Sequence, residues 1–224
     1  MDLIVPCAGL STRFPGEIPK YLWPAGPEGR PMIHETISSW VSEADTIRVA
    51  VLREHVEHHR AEEVILAAWP EADVLVLEKP TSGSAETVAL LAERCTGHIL
   101  VRDPDAAFQL TNQSGNFIAV CPASDYPHLH NVSAKSYVSI NDQGLVVSII
   151  EKHVVSDYFA CGGFHFAYAQ EYLAAYAALK GGREPYVSHV IEEMLRQGHV
   201  FQPLYATQYV DYGTYESWKA EQAR

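Results

Sequence analysis

The chain has 224 residues, 47% of them apolar and 20% charged, which suits one α/β domain with a core of ordinary size and excludes the disordered and fibrous classes. A net charge of -12 leaves no broad basic face for a phosphate backbone, so no nucleic-acid partner is expected; a local basic pocket is still compatible with it. The four cysteines (Cys7, Cys95, Cys121, Cys161) lack the paired spacing of a zinc site and read as reduced, buried, small apolar residues. The opening MDLIVPCAG carries an acid at position 2 and only a short apolar run, which predicts neither a signal peptide nor a span. No membrane partner and a cytoplasmic location are therefore expected.

In chain order, residues 2–7 form a nearly all-apolar run ending in Ala8-Gly9, the pattern of a strand buried on both faces. A long polar loop rich in Pro and Gly leads to a helix over 32–43, with Pro31 at its start. Strand 46–52, helix 56–69 (ended by Pro70), strand 73–77, helix 85–94 and strand 98–102 follow. Such alternation calls for right-handed crossovers and a mostly parallel sheet. Beyond it, 117–122 reads as a strand and 123–131 as a loop. Strands 136–140 and 146–151 flank Asn141-Asp142-Gln143-Gly144, a hairpin signal. A strand over 158–167 carries Gly162-Gly163; helices over 170–179 and 186–197 are separated by Gly181-Gly182, and a strand at 208–210 precedes a last helix capped by Thr214. One domain over 1–224 with a β-rich insertion is expected.

Five segments carry candidate chemistry, and each alone also fits a bland role. Ala8-Gly9-Leu10-Ser11-Thr12-Arg13, followed by Pro19-Lys20, leaves the C-terminal end of a first parallel strand, where open α/β sheets bind ligands. Gly9 lets backbone approach a phosphate, while Ser11, Thr12, Arg13 and Lys20 supply donors and charge; the plain alternative is a surface loop with solvated cations. Asp103-Pro104-Asp105 ends another strand, as two carboxylates able to bind a hard cation or as an ordinary turn. Asp211 ends the strand before Thr214, Glu151-Lys152 ends 146–151 as a charged pair, and Gly83-Ser84-Ala85-Glu86-Thr87 opens a helix whose N–H groups suit a phosphate or ribose, or whose Ser84 simply caps.

Together these segments resemble the sugar-phosphate nucleotidyltransferases, the pyrophosphorylase family that makes nucleotide sugars, in its short capsule and cell-wall-precursor form. PCAGLSTRFPGEIPKYLWPAGPEGRPMI is similar to the family signature, and SGSAETV, LVRDPDAAF, VVSIIEKHVVSDYFACGGFHFA and YVDYGTYESWKA follow in the family's order. The resemblance implies a Rossmann-like α/β fold of the GT-A-like nucleotidyltransferase kind, with helices on both faces of a mostly parallel sheet and a small β-rich acceptor-side insertion. It implies Arg13 and Lys20 as the catalytic cations; Ala8, Gly9, Ser11, Thr12, Gly83, Ser84, Glu86 and Thr87 at the nucleotide; and Glu151, Lys152 and Gly163 at the acceptor. Asp103 or Asp105, with Asp211, would hold Mg²⁺, so that about 1–122 would be the nucleotide-binding half and about 123–224 would complete the acceptor and metal sites. The partners implied are an NTP, with CTP or UTP favoured by the capsule relatives, and a phosphorylated small-molecule acceptor; a homodimer is compatible with the pattern.

There are departures. The family's second loop glycine is Ser11 here, where a left-handed backbone costs more. Pro104 stiffens the acidic turn, His153 stands where a proline is common, and no β-helix repeat follows. Rival readings are an isoprenoid-type cytidylyltransferase, a GT-A glycosyltransferase, which would not explain Arg13 with Lys20, and a non-catalytic nucleotide-binding regulator on the same fold.

Overall fold

Five apolar-rich residues whose neighbours pack from both sides make β1 (Asp2–Pro6), the axis of the molecule. In the computed structural model, which describes residues 1–110, 115–129, 132–179 and 184–223, the chain leaves β1 into a loop pinned by the short strands β2 (Pro24–Ala25) and β3 (Arg30–Pro31). It then runs through α1 (Met32–Val41), β4 (Thr46–Leu52), α2 (Arg53–His59), α3 (Ala61–Ala68), β5 (Asp73–Leu77), α4 (Ser84–Ala92) and β6 (Ile99–Arg102). The second half adds β7 (Ala106–Gln109), β8 (Phe117–Pro122), β9 (Ser136–Ile140), β10 (Val146–Glu151), β11 (Tyr158–Phe166), α5 (Ala169–Ala178), α6 (Val187–Arg196), β12 (Gln202–Tyr205), β13 (Thr207–Asp211) and α7 (Tyr215–Gln222).

Among the described residues, nine strands form one sheet, ordered β10-β9-β11-β6-β1-β4-β5, with β8 on β11 and β12 on β8. The block β6-β1-β4-β5 is parallel, as successive strand–helix–strand units require. The β9–β10 hairpin extends the same sheet instead of standing apart from it. β11 runs antiparallel to its neighbours and changes partner part-way: Phe159 pairs with Tyr137 of β9, whereas Gly163–Phe166 pair with β6. Between them the chain bulges against β8. That change of partner opens a cleft beside β6, at the C-terminal ends of the parallel strands.

Alternation along β1 splits the core. Leu3 and Val5 pack with Ile33, Ile37 and Trp40 of α1, while Ile4 faces Val88, Leu91, Val190 and Ile191 of α4 and α6. Each such side chain is fully buried, a contribution of about 1.5–3 kcal/mol. All four cysteines are buried and unbridged, with Cys121 and Cys161 sulfurs 3.2 Å apart across β8 and β11. No helix among the described residues is long and apolar enough to cross a membrane.

Several expected elements shift. The helix expected over 56–69 is two helices, because Arg60 adopts a left-handed backbone (φ 53°) between them and α2 starts earlier, at Arg53. β7 and β12 are additional strands, and β13 is longer than 208–210. The expected loop over 123–131 begins with a helical turn at Ala123–Asp125. His130 and Asn131 at its end, and the Gly181-Gly182 separation, lie outside the described residues.

Candidate active site

The phosphate-loop segment is shaped by its own turns. Ser11 has φ 52°, the left-handed conformation a glycine would take most easily, and its carbonyl accepts the Phe14 N–H at 2.9 Å. The serine hydroxyl offsets that cost by accepting the Lys20 N–H at 3.0 Å, fastening the start of the loop to its end. A third cluster of Phe14, Ala25, Met32 and Tyr212 with Trp23, Tyr215 and Trp218 then clamps the loop to α7. Trp23 and Trp218 meet edge to face at 4.9 Å, and the Trp218 indole N–H reaches Pro24 O at 2.6 Å. The Arg13 carbonyl accepts the Tyr215 N–H, at 3.4 Å.

Behind this loop a cavity of about 470 Å³ opens, bordered by Gly9–Arg13, Lys20, Asp103–Asp105, Glu151, Lys152 and Gly162, and by Ser84, Lys135 and Ser188. It brings together most of the residues predicted from sequence. The Lys20 ammonium forms an ion pair with Asp105, both largely buried. Burial opposes ionisation of Asp105, but Lys20, with Arg13 and Lys135 nearby, outweighs it and holds the carboxyl below its ordinary value. Asp103 is pushed the other way, first by burial and then by the charge of Asp105. Burial likewise pushes the Cys7 thiol up, which suits a core residue and not a nucleophile.

Asp211, at the end of β13, is buried with its Oδ1 3.0 Å from Lys135 Nζ; Lys135 also donates to the Tyr209 hydroxyl at 2.7 Å. The Gly213 N–H donates to Asp211 Oδ1 at 3.0 Å, and the Ser217 hydroxyl to Oδ2 at 3.4 Å. A Cβ on Gly213 would lie 3.0 Å from Asp211 Oδ1, 3.5 Å from Asp105 Oδ2 and 3.9 Å from Arg13 Nη1. The missing side chain therefore leaves a small space onto which two carboxylates and a guanidinium converge. That donor set is hard oxygen, as Mg²⁺ requires. No cluster of three or more His, Cys, Asp or Glu side chains among the described residues could hold a metal by itself. One or two carboxylates completed by substrate phosphates is the arrangement that fits.

On the opposite wall, Glu151 Oε2 accepts the hydroxyls of Ser136 and, at 2.6 Å, Ser188. Lys152 adopts φ 57°; its N–H bonds to Lys135 O at 3.0 Å and its ammonium stands 4.1 Å from the Tyr186 ring centre. Of the Gly162-Gly163 pair, Gly162, with φ 85°, faces the cavity: its carbonyl accepts the Asp103 N–H at 2.8 Å, and a Cβ there would come within 2.8 Å of Asp103 Oδ2. Gly163 instead packs in the interior, where a Cβ would meet Phe108, Ala119 and Arg102.

The other predicted residues sit differently. Ala8 is core. At the start of α4 the Ala85 N–H is taken by the Pro185 carbonyl at 3.0 Å, and Ser84 is the first helical residue with no side-chain cap before it. Glu86 turns back to the Ser82 N–H and hydroxyl, and Thr87 is buried against the Thr81 hydroxyl at 2.7 Å, so only Ser84 of this group borders the cavity. Thr214 caps α7 through the Ser217 N–H at 3.1 Å. Residues 126–129 border a smaller cavity of about 240 Å³ that shares Tyr209 with the main one; Asp211 lines this smaller cavity and reaches the main one only through its contacts with Lys135 and Gly213. Sequence reasoning missed Lys135, Ser136, Gly162, Ser188 and Tyr209; only Gly162 carried a signal, as half of a Gly-Gly pair inside a strand.

No protein-family model matches the sequence, and no curated protein matches it. The fold does match solved structures over nearly the whole chain. A nucleoside-diphosphate-sugar pyrophosphorylase from Vibrio cholerae RC9 is similar with a TM-score of 0.82 at 20% identity, covering 99% of this chain and 100% of that one. An inositol-1-phosphate CTP transferase from T. maritima gives 0.79 at 17% identity, covering 99% and 93%. A UDP-glucose pyrophosphorylase complexed with UDP-glucose gives 0.75 at 14% identity, covering 99% and 97%. These likenesses establish the fold as the Rossmann-like α/β fold of such enzymes, with its mostly parallel sheet.

Proposed function

We propose that the protein is a Mg²⁺-dependent nucleotidyltransferase that joins the nucleotidyl group of an NTP to a sugar phosphate or similar phosphorylated small molecule, releasing pyrophosphate. The observation that carries this reading is the convergence of Arg13, Asp105 and Asp211 on Gly213, with Lys20 paired to Asp105 beside a glycine-containing loop at the end of β1. Cations suit a triphosphate there, and carboxylates suit the hard ion that accompanies it.

In this mechanism Gly9 and Ser11 line the loop on which the phosphates lie, and Arg13 and Lys20 neutralise the triphosphate. An oxygen of the acceptor phosphate attacks the α-phosphorus in line. The new P–O bond forms as the bond to the bridging oxygen breaks, and pyrophosphate leaves with that electron pair. The chain's contribution is positioning and charge neutralisation, so no covalent enzyme intermediate is required. Glu151 accepts hydrogen bonds from the acceptor and Lys152 takes its phosphate. Mg²⁺ held by Asp211 with Asp105 or Asp103 would supply Lewis-acid stabilisation of the phosphate charge.

CTP and UTP are the first nucleotides to test, and the cytoplasm is the compartment in which both substrates are at hand. The deciding experiment is a pyrophosphate-release screen of the common NTPs against sugar phosphates, phosphocholine and glycerol phosphate with Mg²⁺. Release with one pair supports the reading. Binding of NTP and metal without release across the whole panel would replace it with a regulatory, non-catalytic role.

A further inference from the structure

Arg102 closes β6 and has no solvent exposure at all. Its guanidinium carbon lies 3.7 Å from the centre of the Phe108 ring and 4.9 Å from that of Trp40. It donates to three backbone carbonyls: from Nη1 to Gly162 O at 3.0 Å, and from Nη2 to Thr36 O at 3.1 Å and Ala106 O at 2.8 Å. Its Nε has no partner among the described residues. Withdrawing a cation from water costs several kcal/mol, and an apolar residue of similar volume fills such a slot at lower cost. Hydrophobic packing therefore does not account for a guanidinium at this position.

The three carbonyls share one property: they surround the turn of residues 103–105. Gly162 O also receives the Asp103 N–H at 2.8 Å. Ala106 follows Asp105 directly and pairs across β7 and β13 with Asp211. Thr36, whose carbonyl is the third acceptor, also sets its hydroxyl 3.3 Å from Pro104 O, a position it shares with the Met32 and Ile33 carbonyls of its own helix at 3.1 and 3.3 Å. A planar fork with several fixed donors can tie such separated carbonyls together, whereas an ammonium on a flexible stem cannot do so with the same geometry.

We propose that Arg102 is a positioning residue that sets the backbone of the 103–105 turn from behind, and so fixes the carboxylates of Asp103 and Asp105 for the metal–nucleotide complex. The proposal rests on the nucleotidyltransferase reading. Partners behind metal-ligating carboxylates typically change metal affinity or activity by about 10–100-fold when altered.

The test uses Mn²⁺, followed by its electron paramagnetic resonance signal, with a non-reacting α,β-methylene analogue of the NTP chosen by the release screen. Arg102→Lys should weaken Mn²⁺ binding about tenfold and lower kcat while leaving the KM of the acceptor unchanged. Phe108→Leu loosens the same packing but keeps the guanidinium; it should lower the Tm and leave Mn²⁺ affinity alone. If Arg102→Lys does not fold, the near-isosteric Thr36→Val, which removes the hydroxyl facing Pro104 O, should weaken Mn²⁺ binding about threefold, a smaller share of the same effect. Wild-type Mn²⁺ affinity in the folded Arg102→Lys protein, or in Thr36→Val where that stands in, overturns the proposal. So does an equal loss of affinity in Phe108→Leu, which makes the effect one of packing. Absence of Mn²⁺–nucleotide binding in the wild type overturns the functional reading together with this one.

Discussion

The two walls of the cleft are held in different ways. On the phosphate wall, Arg13 and Lys20 belong to a loop clamped by Phe14, Trp23, Tyr215 and Trp218 and tied by the Lys20–Asp105 ion pair. On the acceptor wall, Glu151 is held by two serine hydroxyls and Lys152 by a backbone bond and one tyrosine ring. Aromatic packing and a largely buried ion pair cannot be replaced by water or by a ligand hydroxyl. Serine hydroxyls can, because a substrate hydroxyl offers a carboxylate the same donor. On the proposed function, one wall would keep its shape toward the triphosphate, and the other could be re-bonded by the acceptor.

The contrast is broken most directly at Lys20. Lys20→Ala should lower kcat by about 10²–10³-fold in the release assay, because it removes charge where charge develops in the transition state. A loss of less than tenfold would show that this wall is not the phosphate wall. Gly162→Ala comes next: φ 85° penalises any side chain, and the new methyl would press on Asp103 Oδ2. Loss of about 1–2 kcal/mol in denaturant titration, with a drop in kcat of tenfold or more, is expected. Glu151→Gln tests the other wall. It should raise the acceptor KM about tenfold while the NTP KM holds, since hydrogen bonds to a charged group are worth more than neutral ones; equal changes in both KM values would erase the distinction between the walls. Trp218→Phe keeps the ring cluster but loses the bond to Pro24 O, and should lower stability by about 1 kcal/mol in a thermal melt.

The smallest effect is of pH. His55, buried beneath the phosphate wall with Nδ1 3.1 Å from the Tyr21 hydroxyl, has its pKa lowered chiefly by burial. Its folded value thus lies below its unfolded one, so the unfolded chain binds more protons as pH drops below about 6.5, and stability declines there. Melting temperatures measured downward from neutral pH should fall, and fall less steeply in His55→Gln. An unchanged slope in that variant would assign the decline elsewhere, with buried His165 the next candidate.

Much of the parallel half was legible because burial on both faces writes itself as an apolar run, as in Asp2–Pro6 and Thr46–Leu52. The break at Arg60 was not, since the helical pattern continues through it and a left-handed arginine carries no local mark. β12 was hidden by Pro203, which is tolerated because that strand pairs on one side only, with β8. β7 is four residues of Ala-Ala-Phe-Gln, too short for alternation to speak. In the candidate site, charged residues could be picked out by type and order, Arg13 and Lys20 in the first loop and Asp103, Asp105, Glu151 and Asp211 at or just after strand ends. Their partners could not, because Lys135, Ser136 and Ser188 reach Asp211 and Glu151 from distant parts of the chain, and a serine is informative only once its neighbour is known. Ser11 is the instructive case. It departs from the glycine of the resembled family, yet keeps the left-handed turn and uses the hydroxyl a glycine lacks to secure Lys20.

The aromatic clamp has a consequence of its own for how the molecule can be watched. Trp23 lies on the phosphate loop and Trp218 on α7, their rings 4.9 Å apart and only partly shielded from solvent. Of the other two indoles, Trp40 is sealed beside the Arg102 guanidinium and Trp69 lies against His34. With Trp69, which is equally half-buried, replaced by Phe, emission from the Trp23–Trp218 pair would follow the spacing between loop and terminal helix with no label attached. Any ligand that moves this loop against α7 would then be seen optically, apart from events at Glu151 or Lys152 across the cleft.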